Sequence, residues 1–165
     1  TLGLATMPRL IECFDVSTLA GRSSVGSMVS FQDGEPTKSR YRRFKIKTVV
    51  GQDDPRMIGE LVHRRYSRLL TEKAQLPDLV IVDGGVTQLN LAKRSMERLG
   101  LELPVIGLAK KLEQIYLPNR PWPVELAKNS EGLFLIQRIR DEAHRFAIMY
   151  HRKLRIKTEI SRVGH

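Results

Sequence analysis

Residues 77–88 read PDLVIVDGGVTQ, and this stretch decides how the rest of the chain is interpreted. Its four consecutive apolar residues, 79–82, predict a strand buried on both faces, as in a parallel or mixed sheet. Asp83 ends that strand, and Gly84 and Gly85 allow a sharp turn into a helix. Ligands of open α/β sheets bind at the carboxyl ends of strands, so Asp83 is a candidate site residue. An aspartate here can equally serve only to cap the helix that follows.

The composition indicates a folded domain that binds a polyanion. The chain has 165 residues, 41% of them hydrophobic, which suits one domain with a substantial core. Lys and Arg number 28 against 18 Asp and Glu, and the net charge of +10 favours nucleic acid as a partner. The single cysteine, Cys13, excludes an intramolecular disulfide and a multi-cysteine zinc site. We find no membrane-spanning run and no signal peptide, and therefore expect a cytoplasmic protein.

The predicted elements follow the order β-β-β-α-β-α-β-α. Strands over residues 9–17, 25–31 and 37–50 form an antiparallel meander, with a hairpin turn at Asp33-Gly34. Apolar periodicity predicts helices over residues 54–70, 87–99 and 131–153. Asp53 or Asp54 is expected to cap the first helix and Ser130 the third, while Gly100 ends the second. Two short buried strands cover residues 79–83 and 104–109, and residues 113–126 form a hairpin or loop. This order predicts an α/β fold with a five-stranded mixed sheet and helices on both faces.

Two acids are expected to meet at one edge of this sheet. If the first strand pairs in parallel with strand 79–83, Asp15 and Asp83 lie side by side. Because adjacent carboxylates repel each other, a divalent cation that prefers oxygen ligands, Mg²⁺ or Mn²⁺, would stabilise them. Such a cation can activate water against a phosphodiester. The last helix offers Asp141, Glu142 and His144 as further ligands, although His144 alone is more simply a surface histidine.

Basic residues form three clusters, within residues 38–47, 63–68 and 152–157, and Tyr41 and Phe44 lie within the first. Any one cluster is compatible with a solvated surface, but three of them favour phosphate contacts. We predict that five residues bind DNA: Arg42, Arg43, Lys110, Lys111 and Arg145. The two lysines follow strand 104–109, where a merely solvated strand end is an equal alternative. No helix-turn-helix, zinc-finger or RNP motif is present.

Four stretches resemble one known family: IECFDVS (11–17), LVIVDGG (79–85) with Gln88, IGLAKK (106–111) and IRDEAHRFAIMYHRKLR (139–155). They are similar to the C-terminal endonuclease domain of UvrC, the incising subunit of bacterial nucleotide excision repair. The resemblance covers about residues 8–157 and implies a ribonuclease-H-like fold. It implies that Asp15, Asp83 and His144 are the catalytic, metal-binding residues. We further predict supporting roles for Asp141, as the helical neighbour of His144, and for Gln88. Many relatives have a histidine where this chain has Thr18, but the acid of that motif is kept.

The resemblance also implies an activity and its partners. The activity is metal-dependent cutting of damaged double-stranded DNA on the 5′ side of the lesion. The partners are the helicase subunit UvrB, indirectly the damage sensor UvrA, and other domains of the same subunit; no membrane partner is expected. Residues 1–157 are predicted to form the endonuclease domain, and residues 158–165 a basic tail or linker toward a further C-terminal domain.

Two other functions are compatible with the sequence. One is a non-catalytic nucleic-acid-binding module with a degenerate site, which would need no metal. The other is a small-molecule α/β enzyme that uses the VDGG turn to bind a phosphate, and the basic surplus argues against it.

Overall fold

The computed structural model describes residues 7–19, 23–46, 55–108 and 114–164. Within these ranges the first half of the chain contains four strands and a helix: β1 (Leu10–Leu19), β2 (Ser23–Gln32), β3 (Glu35–Pro36), β4 (Arg42–Lys45) and α1 (Arg56–Glu72). The second half alternates strands and helices: β5 (Leu79–Val82), α2 (Val86–Arg98), β6 (Val105–Leu108), β7 (Gln114–Tyr116), β8 (Val124–Glu125) and α3 (Glu131–Val163).

The strands form one mixed sheet in the order β3-β2-β1-β5-β6-β7-β8, with β4 also paired to β2. β1 is antiparallel to β2 and parallel to β5, and β5 is parallel to β6. The predicted parallel pairing of the first strand with strand 79–83 is therefore confirmed. Phe14 lies opposite Val82, and the backbone N–H of Asp83 donates to the carbonyl of Phe14 at 3.0 Å. Asp15 and Asp83 follow this last pair on neighbouring strands.

The fold class is confirmed, but the sheet has eight strands in the described ranges rather than the predicted five. Of the predicted strand 37–50, only β4 is a strand among the described residues. It pairs with one end of β2, whereas β3, which precedes residue 37, pairs with the other end. A turn of 3-10 helix, Lys38–Arg40, lies between them, and residues 47–50 fall outside the described residues. Within the excursion predicted over residues 113–126, β7 and β8 form a hairpin, and β7 extends the sheet beside β6.

Alternate side chains of β1 enter cores on opposite faces of the sheet, as the two-residue period of a strand requires. Phe14 packs among residues of α1 and α2, whereas Cys13 packs among residues of α3. Asp15 has the same parity as Cys13, so it lies on the face that α3 covers. This arrangement decides which helix can supply a side chain to Asp15.

The helix ends follow local sequence signals. The Oγ of Ser130 accepts a hydrogen bond from the N–H of Leu133 at 3.2 Å, as predicted for the cap of α3. Gly100 has φ +75° and ends α2, also as predicted. Pro55 occupies the N-cap position of α1, and the predicted caps Asp53 and Asp54 lie outside the described residues.

The third helix is longer than predicted. It continues past residue 153 to Val163, through the predicted boundary at residue 157. The division of the chain at that boundary stays a prediction. Among the described helices, none combines the length and apolarity that crossing a membrane requires.

Candidate metal centre

Three side chains predicted as metal ligands come together at one edge of the sheet. Asp15, Asp83 and His144 each offer one ligand atom, and these three atoms lie within 4.8 Å of one another. Asp15 is held by β1, Asp83 follows β5, and α3 supplies His144 from the covered face. The Nε2 atom of His144 lies 2.6 Å from Oδ2 of Asp83. The acids are partly buried and the imidazole is exposed, so the cluster opens to solvent on the histidine side.

The glycine turn after β5 leaves the carboxylate of Asp83 free to face α3. The N-cap of α2 is Gly85, and no side chain caps this helix. The alternative role of Asp83 as a helix cap is therefore excluded. A Cβ atom on Gly84 would lie 3.1 Å from side-chain atoms of Gln88, so Gln88 folds back over the turn. The supporting role predicted for Gln88 stays a prediction.

The carboxylates of Asp15 and Asp83 repel each other. Burial, followed by the neighbouring charge of Asp83, raises the pKa of Asp15 to about 6. His144 and Arg140 act in the opposite direction, but they offset only part of the shift. Burial and the charge of Asp83 also raise the pKa of the Cys13 thiol, which lies on the same face of β1. The site therefore has excess negative charge that a bound cation would stabilise.

Arg140 is a site residue that the sequence prediction missed. Its guanidinium lies 3.7 Å from Oδ1 of Asp83, and its side chain is only 14% exposed. Arg140 and His144 are four residues apart in α3, so both side chains reach Asp83 from one face of the helix. Asp141, the predicted neighbour, is exposed and lies outside the three-residue cluster. The four-residue spacing was available in the sequence, whereas the side of α3 that meets the sheet was not.

A second contact joins the same face of α3 to β1. The Nε2 atom of His151 lies 2.5 Å from Oγ of Ser17. Ser17 is two residues after Asp15, and His151 is seven residues after His144, so α3 follows β1 beyond the cluster. Burial, and the charge of Arg155, lower the pKa of His151. This contact positions α3 against the strand that carries Asp15.

The structure describes three of the five residues that are predicted to bind DNA. The guanidinium of Arg42 donates to the carbonyls of Ser39 and Tyr41, at 3.0 and 2.8 Å. Arg43 lies over the ring of Phe146. Arg145 pairs with Glu142. All three arginines line a groove between the start of β4 and α3, whereas Lys110 and Lys111 lie outside the described residues. DNA contact by these five residues stays a prediction.

A mixed sheet with two acids at neighbouring strand ends and a histidine from a covering helix defines a ribonuclease-H-like domain with a candidate metal centre. Comparison with known families agrees with this class. Residues 1–148 match the family described as UvrC RNAse H endonuclease domain, and the chain belongs to that family. The resemblance of its four sequence stretches to this family is thereby confirmed.

Individual relatives agree with this assignment. UvrABC system protein C of Prosthecochloris aestuarii is 54% identical over 160 residues, which are 97% of this chain and 26% of the relative. The protein of the same name from Methanospirillum hungatei is 52% identical over 157 residues, 95% of this chain and 30% of the relative. The chain thus spans less than a third of the length of these two relatives.

Among solved structures, Ciona intestinalis endonuclease V in complex with inosine-containing DNA gives a TM-score of 0.48 at 18% identity. The match covers 65% of this chain and 48% of that one.

Proposed function

We propose that this chain is a metal-dependent DNA endonuclease domain that makes the 5′ incision in the damaged strand during nucleotide excision repair. The observation that carries this proposal is the cluster of Asp15, Asp83 and His144, with ligand atoms within 4.8 Å of one another. Membership of an endonuclease domain family supports it. The net charge of +10 supports a polyanionic substrate.

The donor set fits Mg²⁺ or Mn²⁺. Carboxylate oxygens suit both cations, and one imidazole is compatible with Mn²⁺ and lowers the negative charge of the site. When bound, such a cation supplies Lewis-acid polarisation of the phosphate and a lowered pKa for water. The remaining chemistry depends on residues of the chain.

Asp15 and Asp83 hold their carboxylates at a fixed separation, because both follow the last paired residues of parallel strands. His144 ligates only as neutral imidazole, and its contact with Asp83 orients the ring. Arg140 offsets part of the charge of Asp83 from the buried side. The exposed histidine side is then left for the phosphate and the attacking water.

Hydrolysis forms a bond between the oxygen of water and phosphorus and breaks the bond from phosphorus to the 3′ oxygen. The leaving oxygen takes a proton, and the products are a 3′-hydroxyl and a 5′-phosphate. The substrate is damaged double-stranded DNA, and the predicted phosphate contacts are Arg42, Arg43, Arg145 and the two lysines of the sequence IGLAKK, Lys110 and Lys111. These side chains would hold the backbone, since no base-reading motif is present.

The names of the relatives are the basis for the partners that we propose. Their name, UvrABC system protein C, indicates a multi-subunit system. We propose UvrB as the direct partner and UvrA as an indirect one, together with other domains of the same subunit, in the cytoplasm. Residues 1–157 would form the nuclease unit in that assembly.

Cleavage of a labelled bubble duplex tests the proposal. The wild-type chain should cut with Mg²⁺ or Mn²⁺ and not in a chelator. Asp83→Asn should abolish cutting but keep DNA affinity, because it removes one charge with almost no change of shape. Asp33→Asn, in the exposed turn between β2 and β3, is the matched control and should cut normally. Binding without metal-dependent cutting would instead support a non-catalytic module, and normal cutting by Asp83→Asn would exclude this metal centre.

A further inference from the structure

A groove with a volume of about 410 Å³ lies between the segment that enters β4 and the middle of α3. This volume lies within the ~300–1,000 Å³ range of small-ligand sites. Tyr41 lines the groove from the β4 side, and Phe146 and Met149 line it from α3. The rings of Tyr41 and Phe146 meet edge to face, with 5.0 Å between their centroids. Phe146 is only 7% exposed, so Tyr41 and Met149 provide the aromatic and thioether surfaces that a flat, apolar ring contacts.

Four cations surround these surfaces: Lys38, Arg42, Arg43 and Arg145. The guanidinium of Arg43 is stacked over Phe146, 4.8 Å from the ring centroid, and so is held in place. The hydroxyl of Tyr41 donates to Glu142 at 3.1 Å, and Glu142 also pairs with Arg145. One carboxylate against four cations leaves an excess of positive charge. The groove is thus complementary to a ligand with a flat apolar part and negative charges around it.

The groove and the metal centre lie on different sides of α3. Arg145 directly follows His144, but consecutive residues of a helix are turned by about 100°. His144 points to Asp83, whereas Arg145 and Met149 line the groove on the side of β4. A DNA strand with a phosphate at His144 would therefore cross the exposed face of α3 before it reaches the groove.

We propose that this groove binds one unpaired nucleotide of the DNA strand, on the side of α3 away from the phosphate that is cut. Basic residues interleaved with aromatic ones are typical of unpaired-strand sites, where bases stack on the protein and phosphates contact the cations. A closed duplex keeps its base faces stacked inside and cannot present one to Tyr41 or Met149. The inference rests on the proposed nuclease function, since it names the form of DNA that the metal centre receives.

Binding of a labelled oligothymidylate, measured by fluorescence anisotropy in a chelator, tests the groove without any cleavage. Met149→Glu places an acid in the groove, and Ile160→Glu places the same charge on an exposed residue of α3 beyond the groove lining. Met149→Glu should raise the Kd for the single strand at least about tenfold, and Ile160→Glu about twofold. A hairpin duplex of equal phosphate number should be affected about equally by both variants.

Tyr41→Leu gives a second, uncharged test. It should raise the Kd for the single strand about tenfold, the loss of one stacked base. Tyr41→Phe, which keeps the ring, and Trp122→Leu, which removes an exposed ring on the β7–β8 hairpin, should change it by about twofold or less.

Three outcomes would contradict nucleotide binding in the groove: equal effects of Met149→Glu and Ile160→Glu, equal losses for single strand and duplex, or competition by polyaspartate as strong as by DNA. The two proposals fail separately. Absence of metal-dependent cutting with these binding differences intact contradicts the nuclease function alone. Normal cutting without these binding differences contradicts only the proposal that the groove binds a nucleotide.

Discussion

At the scale of single residues, the charge of Asp15 destabilises the metal-free fold. Its pKa rises from 3.8 to about 6 because the side chain is buried and Asp83 is beside it. Below pH ~4 the carboxyl is protonated in both folded and unfolded chains. As pH rises from ~4 to ~6, the unfolded chain loses this proton first, so stability falls with pH. Above the folded-state pKa the whole contribution is lost.

Removing the charge of Asp15 should therefore stabilise the metal-free fold at neutral pH. In a chelator at pH 7.5, Asp15→Asn should raise the free energy of unfolding by up to about 3 kcal/mol, because it removes the disfavoured charge. The gain should shrink toward zero as the pH approaches ~4. Urea denaturation at both pH values measures it, and added Mn²⁺ should stabilise the wild type more than the variant. A gain of equal size at both pH values would show that charge is not its cause.

The second prediction separates His144 from Asp141. His144→Ala should lower the single-turnover cleavage rate by orders of magnitude, because it removes a ligand atom from the three-atom cluster. Asp141→Ala should cost much less, since Asp141 is exposed and outside that cluster. Both variants are compared at fixed metal concentration. A near-normal rate for His144→Ala would leave the third ligand unassigned.

At the scale of elements, β1 holds the site on one face and an ion-pair network on the other. Glu12 is fully buried on the face opposite Asp15. Its carboxylate accepts hydrogen bonds from Arg65 at 2.8 Å, from the Tyr66 hydroxyl at 2.9 Å and from Arg40 at 3.0 Å. The network connects β1 to α1 and to the 3-10 turn before β4. The strand that carries Asp15 is thereby fixed from behind.

Glu12→Gln should lower the free energy of unfolding by about 3–5 kcal/mol, because it leaves buried guanidinium groups without their carboxylate. Glu72→Gln is the matched control. It removes an acid from the exposed pair with Arg68, where solvent screens the interaction, and should leave stability nearly unchanged. Chemical denaturation of both variants gives the comparison. Similar stabilities for the two variants would mean that the buried network does not hold β1.

At the scale of the whole molecule, features that depend on local sequence were predicted more completely than features that depend on tertiary contacts. Residues 79–85 contain their own strand, acid and turn, and Asp33-Gly34 forms the predicted hairpin turn with positive φ at both positions. The 3-10 turn Lys38–Arg40, inside the predicted strand 37–50, was missed because the sequence pattern does not show that pairing with β2 begins only at Arg42. Arg140 and the partners of Glu12 were missed for a related reason. The periodicity of a helix in the sequence does not show which strand that helix packs against.

The net charge of +10 gives a prediction for the whole surface. DNA affinity should fall linearly on a log–log plot against salt, with a slope of about −0.9 for each phosphate neutralised on a duplex. Replacing Arg42 and Arg43 together by Gln should reduce the steepness by up to about 1.8 and weaken all sequences alike. Titrations at several salt concentrations measure both slopes. An affinity that does not depend on salt, or a strong preference for one undamaged sequence, would contradict a phosphate-contacting surface.

The proposed nuclease function requires that Asp15, Asp83 and His144 together hold a divalent cation. Anomalous diffraction from crystals soaked in Mn²⁺ tests it most directly, because the peak locates the ion without reference to activity. We expect a peak in contact with all three side chains in the wild type, and no peak there in Asp83→Asn. A wild-type crystal at saturating Mn²⁺ that has no ion between these three side chains would contradict it.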